Sequence, residues 1–421
     1  MITNIAISNM LSINEEINLN FLASKEKRHL NHLFIHDKDT KVLKTKLIIG
    51  KNDTGKTNVI KALSYLKQIY DQNLTVLPKD IYYKNPNNHQ NSTKIELSFI
   101  EQDHHYQYGV IFNIYNKEIH EEYLYEIKSK TKIKKFHFQR KEVEKEVFDE
   151  KISKAAKERL QAYLYDLRYD RKTLLITKMK DKYINDFKEL EFFHHIISFF
   201  NKLIVYVDDE TYHFKYFSYH QHHKIIMQLL KLQIPITQMK YEEVTLDYIR
   251  VELGRHKYDR WLEYISYLKH HQKTEEHIFL MFGYLYRVVF LNESDLKVYL
   301  TKVTIRDTQK YYHELSSGYK QIIMYLMLFT AKEETILVID DFGLHTHPTT
   351  TKTLLQNNLP YHKQLILSTH NLLLLDNELM RKDELCISTM TLRGSMFKRV
   401  DQFLIRNDKN LFNAYLDNIF K

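Results

Sequence analysis

Cysteine occurs once in the 421 residues, at Cys386. A lone thiol excludes an internal disulfide and fits a reducing compartment, so a cytoplasmic location is expected. The start, Met1-Ile2-Thr3-Asn4, lacks the basic region and apolar core of a secretion signal, and none is expected. No apolar run reaches bilayer-crossing length. The longest candidates, residues 278–291 and 322–331, are interrupted or bounded by Arg287, Lys320, Lys332 and tyrosines, so no membrane partner is expected. Internal repeats and low-complexity linkers are missing, although residues 84–91 are polar enough for a loop. Heptads are not sustained, which excludes a long coiled-coil arm. Histidine pairs recur at His104-His105, His194-His195, His222-His223 and His270-His271. Even the densest group, His220-Gln221-His222-His223, has no cysteine or ordered acid beside it, so no structural metal is expected.

What the chain does have begins at Gly50-Lys51-Asn52-Asp53-Thr54-Gly55-Lys56-Thr57-Asn58, which fits the G-x-x-x-x-G-K-[ST] phosphate loop. Leu47-Ile48-Ile49 before it reads as a short strand. The stretch from Asn58 to Leu66 after it carries apolar residues at helical spacing. In that setting the glycines let backbone N–H groups and the helix N-terminus face an anion. Lys56 reaches the β- and γ-phosphates, and Thr57 offers its hydroxyl to Mg²⁺. Bound ATP and Mg²⁺ are therefore expected.

A second cluster lies far down the chain. Residues 335–341, Thr-Ile-Leu-Val-Ile-Asp-Asp, read as a buried parallel strand delivering Asp340 and Asp341 at its C-terminal end, where open α/β sheets place ligands. Asp340 suits the metal shell and Asp341 is placed to polarise an attacking water. Upstream, Ser316, Ser317 and Gly318 open a helix over residues 321–330, an N-terminus able to hold phosphate. Downstream, residues 364–371 form a further strand ending in His370. Singly, each has a plainer reading: a helix cap, an acidic turn, a structural histidine. The order of all four resembles that of an ATP-binding-cassette-type ATPase.

On these residues the chain resembles the ABC-type AAA family ATPases of bacterial phage defence and abortive infection. These are similar to the heads of SMC, Rad50 and RecF proteins and include overcoming-lysogenization-defect-type and PARIS-type ATPase subunits. The resemblance rests on Gly50 to Asn58, on Leu315-Ser316-Ser317-Gly318, on Asp340-Asp341 followed by His347-Pro348, and on His370. Weaker likeness covers residues 1–25, the strand pair 94–114 and the tail 403–411. Two positions depart from the family. It usually has glutamate where this chain has Asp341, which implies slow hydrolysis, and many relatives carry an acid where Gly343 stands.

The resemblance implies an α/β P-loop NTPase of ABC-ATPase head type with an inserted, mostly helical lobe. The phosphate loop (Gly50, Asn52, Asp53, Thr54, Gly55, Lys56, Thr57, Asn58), Asp340, Asp341 and His370 of one chain then meet Ser316, Ser317 and Gly318 of another, so an ATP-linked homo-oligomer is expected. The expected divisions are residues 1–140 and 301–421 for the head and 141–300 for the lobe. Residues 141–164 and 257–291 show helical spacing in the lobe, with Trp261, Ile265 and Leu268 as examples, and Leu232-Gln233-Ile234-Pro235 marks a break. Residues 94–112 read as a hairpin whose turn holds Gln102, with a solvent-facing turn preferred over a metal role.

A net charge of +9 and a pI near 9.0 make nucleic acid a candidate partner. The densest basic stretch is Lys128 to Lys141, with a solvated strand edge as the competing reading. The short tail after His370 leaves no room for a nuclease domain, so a separate effector, nuclease or toxin, is the expected partner. The implied role is an anti-phage ATP switch, with a RecF- or Rad50-like repair ATPase as the alternative.

Overall fold

A computed structural model of the chain describes residues 1–83, 88–128, 134–141, 147–148, 152–182, 187–207, 211–214, 217, 221–271, 275–292, 295–330, 334–359, 364–405 and 409–420. The chain divides into two compact units. The first comprises Met1–Val207, Glu334–Phe342 and Leu359–Lys421; the second comprises Asp208–Glu333 and Gly343–Asn358.

The first unit is built on two sheets. One has the order Leu203–Tyr206, Ile336–Ile339, Gln364–Thr369, Thr45–Gly50, Leu385–Thr391, Gly394–Arg399. All its pairs are parallel except the last, a hairpin. The central strands Ile336–Ile339, Gln364–Thr369 and Thr45–Gly50 are buried at every position, which is why their sequences read as unbroken apolar runs rather than alternating ones. The other sheet is antiparallel, in the order Val147–Phe148, Lys134–Lys141, Glu118–Ile127, His104–Asn113, Thr93–Glu101, Ile2–Ser8, Ile17–Asn20. The buried side chain of Gln364 joins the two sheets. Its amide accepts from the Ile2 N–H at 2.7 Å and donates to the carbonyls of Ile2 and Leu43 at 2.9 and 3.0 Å, standing in for a strand partner.

The helix Lys56–Asp71 buries Val59, Ile60, Leu63, Leu66, Ile69 and Tyr70 on one face. Tyr70 stacks on Phe200 at 4.4 Å, and Phe199 stacks on Phe99 at 3.8 Å. Through these rings the helix Glu191–Lys202 joins one core with both sheets. The hairpin expected over 94–112 is present, and its turn is Gln102-Asp103 with φ of 49° and 61°, the pair of positive values that a two-residue turn between twisted strands requires. Gln102 is exposed there, as a turn residue.

The second unit carries an antiparallel sheet in the order Thr211–His213, Glu276–Met281, Tyr284–Phe290, Leu296–Ile305, Ile236–Val244, with Thr308–Tyr311 also paired to Leu296–Ile305. Its core centres on Trp261, Ile265, Leu268, Phe279, Tyr286 and Leu300. The first three lie on the helix Leu246–His271, as their spacing predicts, and that helix is broken at Gly254 (φ 70°, ψ 163°). The expected break at 232–235 is also present: the helix His222–Lys231 ends before it and a strand begins at Ile236.

This division differs from the expected 1–140, 141–300 and 301–421. The helices Lys154–Leu164, Leu175–Met179 and Glu191–Lys202 belong to the first unit, because Phe192, Phe193, Phe199 and Phe200 fill its core. The inserted segment also holds more strand than its helical spacing suggests, since residues 276–290 form two strands of a hairpin.

Candidate active site at the phosphate loop

The strand Thr45–Gly50 runs into a loop whose conformation is fixed by tight packing behind it. A Cβ on Gly50 would lie 2.1 Å from Ser388 Oγ and 2.6 Å from the Ser388 carbonyl, so only glycine fits. Gly55, at φ 92°, caps the helix Lys56–Asp71 in the left-handed region, and a Cβ there would meet Ser395 Oγ at 2.2 Å. Ser12 and Ser395 hydroxyls pair at 2.6 Å, and Asn58 donates to Ser12 at 2.5 Å. Thr54 donates to the Lys51 carbonyl at 2.8 Å and pairs with Ser388 at 2.7 Å. Asn52 and Asp53 are exposed at the loop tip, Asp53 with φ 60°.

Lys56 is buried, and its ammonium folds back onto the carbonyls of Gly50 (3.0 Å) and Lys51 (2.8 Å). Burial pushes its pKa down, and Asp341, Asp340 and Asp53 pull it back up. The cation is thus held at the loop beside the acids. The Thr57 hydroxyl lies near enough to the Asp340 carboxylate to favour its charged form, which brings the loop to the end of the acidic strand.

Asp340 is buried and accepts a hydrogen bond from Ser368. Burial raises its pKa, the Ser368 bond opposes that, and Asp341 adds to it. Asp341 has φ 46°, a left-handed conformation that aspartate tolerates better than most residues. Its carboxylate lies 3.4 Å from His370 Nε2. Burial and the Lys56 cation hold the His370 pKa below its ordinary value, favouring a neutral ring. Lys56, Thr57, Asp340, Asp341 and His370, expected from motifs about 300 residues apart in sequence, thus form one constellation in the first unit.

Thr57 and Asp340 present only hard oxygen donors, a set that suits Mg²⁺. The loop, with its buried lysine and helix N-terminus, suits a polyphosphate. Among the described residues no group of three or more His, Cys, Asp or Glu has the arrangement to hold a metal. His220 and residues 84–87 lie outside the described residues.

Ser316, Ser317 and Gly318 belong to the second unit and form a constellation of their own. Ser316 caps the helix Ser317–Phe329, accepting from the Tyr319 N–H at 3.5 Å, and both serines are exposed. A Cβ on Gly318 would approach the His345 carbonyl to 2.9 Å. Gly343 donates from its N–H to Tyr325 OH on the same helix at 2.9 Å. Gly343 itself has φ 96°, and a Cβ there would lie 2.8 Å from Thr351 Cγ2. Glycine in place of the family's acid therefore has a local steric reason. Pro348 opens the helix Pro348–Asn358, where a missing N–H costs nothing.

The basic stretch resolves differently. Residues 129–133 lie outside the described residues; Lys134–Lys141 is an interior strand of the antiparallel sheet. In the strand register Glu126 pairs with Lys135, Glu122 with Arg140, and Glu121 with Lys141. Arg140 is buried and donates to the carbonyls of Thr173, Leu167 and Asp170. Its charge serves the fold. A separate cleft of about 520 Å³, lined by Gln102, His104, Glu191, His194, His195 and Ser198, shares no residue with the phosphate site.

The motifs did not reveal Ser368, Ser388, Ser12 and Ser395. Ser368 carried a signal, a polar residue in a buried strand two positions before His370; the other three are small hydroxyls remote in sequence with no spacing to mark them.

No helix among the described residues is long and apolar enough to cross a membrane. Among solved structures, the chain is similar to the SMC head domain from Thermotoga maritima (14% identity, 95% of this chain and 98% of that chain covered, TM-score 0.36). It is also similar to an SMC head bound to the C-winged helix domain of ScpA (12% identity, 96% and 99% covered, TM-score 0.38). No protein of curated function matches the sequence. Residues 47–376, from the strand that enters the phosphate loop to just beyond His370, match the family described as "AAA domain, putative AbiEii toxin, Type IV TA system", and the chain belongs to that family.

Proposed function

We propose that this chain is a Mg²⁺-dependent ATPase that works as a slow nucleotide switch in a cytoplasmic anti-phage system. The observation that carries the reading is the gathering of Lys56, Asp340, Asp341 and His370 at one phosphate loop. In this reading Lys56 leaves the Gly50 and Lys51 carbonyls to meet the β- and γ-phosphates, while backbone N–H groups of the loop hold the remaining oxygens. Thr57 and Asp340 would hold Mg²⁺, which would supply positive charge against the phosphate oxygens. Asp341 orients the attacking water, and neutral His370 stands beside it to hold the γ-phosphate region. The carboxylate is one methylene shorter than the family's glutamate, which supports slow turnover.

Ser316, Ser317 and Gly318 are exposed or half-exposed at a helix N-terminus, which suits capping the phosphate site of a second copy. ATP binding then stabilises a closed dimer, and the population of that state controls a separate effector, nuclease or toxin. The family's description, which names a putative toxin of a type IV TA system, supports a defence role over a repair ATPase. Nucleic acid has less support as a direct partner, because Arg140 of the densest basic stretch is buried and bonded to backbone carbonyls.

Subunit mixing tests the switch. Ser317→Arg places bulk and charge on the shared surface; Lys56→Ala removes the phosphate cation. Each alone should be inactive, and their mixture should regain turnover as each heterodimer rebuilds one complete site. Full activity of Ser317→Arg alone, or no rescue in demonstrated heterodimers, would leave a self-contained NTPase as the better account.

A further inference from the structure

Ser368 sits at the end of the strand Gln364–Thr369, next to the strand that enters the phosphate loop, and is fully buried. Its hydroxyl has two partners. The Asp341 N–H donates to Ser368 Oγ at 2.8 Å, and Ser368 Oγ in turn hydrogen-bonds Asp340 Oδ1. The backbone N–H can only donate, so the single hydroxyl proton of Ser368 must point at Asp340. The Ser368 carbonyl also accepts from the Phe342 N–H at 2.7 Å, and the neighbouring Thr369 hydroxyl donates to the Phe342 carbonyl at 2.6 Å. One residue therefore grips both acids and the backbone that follows them, two positions before His370.

We propose that Ser368 is the positioning residue of this site, setting the metal-holding Asp340 and the water-orienting Asp341 by one directed hydroxyl. The inference rests on the ATPase reading above. The bond to the Asp341 N–H fixes the left-handed turn at φ 46° that brings its short side chain to 3.4 Å from His370. The bond to Asp340 fixes one oxygen of its carboxylate and opposes the burial that disfavours its charge. Outer partners of this kind commonly change metal affinity or activity by about 10- to 100-fold when removed.

The test compares wild type, Ser368→Ala and Ser368→Thr. Three quantities are measured: Mn²⁺ affinity by electron paramagnetic resonance in the presence of a non-hydrolysable ATP analogue, affinity for a fluorescent ATP analogue in EDTA, and steady-state turnover. Ser368→Ala should weaken Mn²⁺ binding and lower kcat by about 10- to 100-fold while metal-free nucleotide affinity stays unchanged, and Ser368→Thr should restore most of both. Unchanged Mn²⁺ affinity in Ser368→Ala overturns the proposal. So does a parallel loss of metal-free nucleotide binding, which marks general disruption of the loop. A wild type that binds nucleotide and Mn²⁺ without turnover overturns the hydrolysis reading alone, because the Mn²⁺ comparison still decides Ser368. A wild type that binds no nucleotide overturns both.

Discussion

His370 Nε2 and Asp341 Oδ1 lie 3.4 Å apart, joining the ends of two adjacent parallel strands. The two side chains are 45% and 31% exposed, while Asp341 Oδ1, the oxygen nearest the ring, is itself shielded from water.

Asp341→Asn should keep ATP affinity and lower turnover by about 10² to 10⁴-fold, because the phosphate contacts survive while water activation is weakened. Equilibrium nucleotide binding and single-turnover hydrolysis check it. Turnover equal to wild type would remove Asp341 from the chemistry.

Lys56→Ala should lose ATP binding, since it removes the buried ammonium held at the Gly50 and Lys51 carbonyls. The folded variant, verified by circular dichroism, should bind a fluorescent ATP analogue at least about tenfold more weakly. Wild-type affinity would displace the site from this loop.

Asp340 yields a stability prediction with a definite sign. Burial raises its folded pKa above the unfolded value, so between those two values the folded state binds more protons and stability falls as pH rises. Ionised Asp340 therefore costs stability at neutral pH without metal. In EDTA, Asp340→Asn should have the higher melting temperature at pH 7, and the gain should vanish at pH values below the unfolded aspartate pKa. Urea melts across pH check both the sign and the window.

Gly50→Ala should destabilise the first unit by about 1–3 kcal/mol, because the new methyl group meets both the Ser388 hydroxyl and its carbonyl, and the carbonyl cannot turn away. Chemical denaturation measures the loss. A variant as stable as wild type would show that the strand Leu385–Thr391 yields freely.

The phosphate loop, the acid pair and the histidine were legible because each motif sits at the end of a strand buried on both faces, where an apolar run and a polar terminus are conspicuous together. The strand Ile336–Ile339 ending at Asp340 and Asp341 is the clearest case. The sheet of the second unit was not. Trp261, Ile265 and Leu268 follow helical spacing, and residues 278–290 continue as a nearly unbroken apolar run whose period cannot separate a helix from strands. The marker there is the turn at Phe282-Gly283, with φ of 52° and 82°. The compact units divide away from residue 140 for another reason: the phenylalanines of Glu191–Lys202 have helical spacing whichever core they enter, and only tertiary packing assigns them to the first unit.

The wall behind the phosphate loop consists of Ser388 against Gly50 and Ser395 against Gly55. During synthesis the ribosome delivers the loop more than 300 residues before that wall, and Asp340 and His370 also arrive late. A nascent chain holding the complete phosphate motif thus lacks the surface that shapes it. The wall is complete only when the hairpin of Leu385–Thr391 and Gly394–Arg399 closes the sheet, so a chain truncated before it keeps the motif without the packing against Gly50 and Gly55.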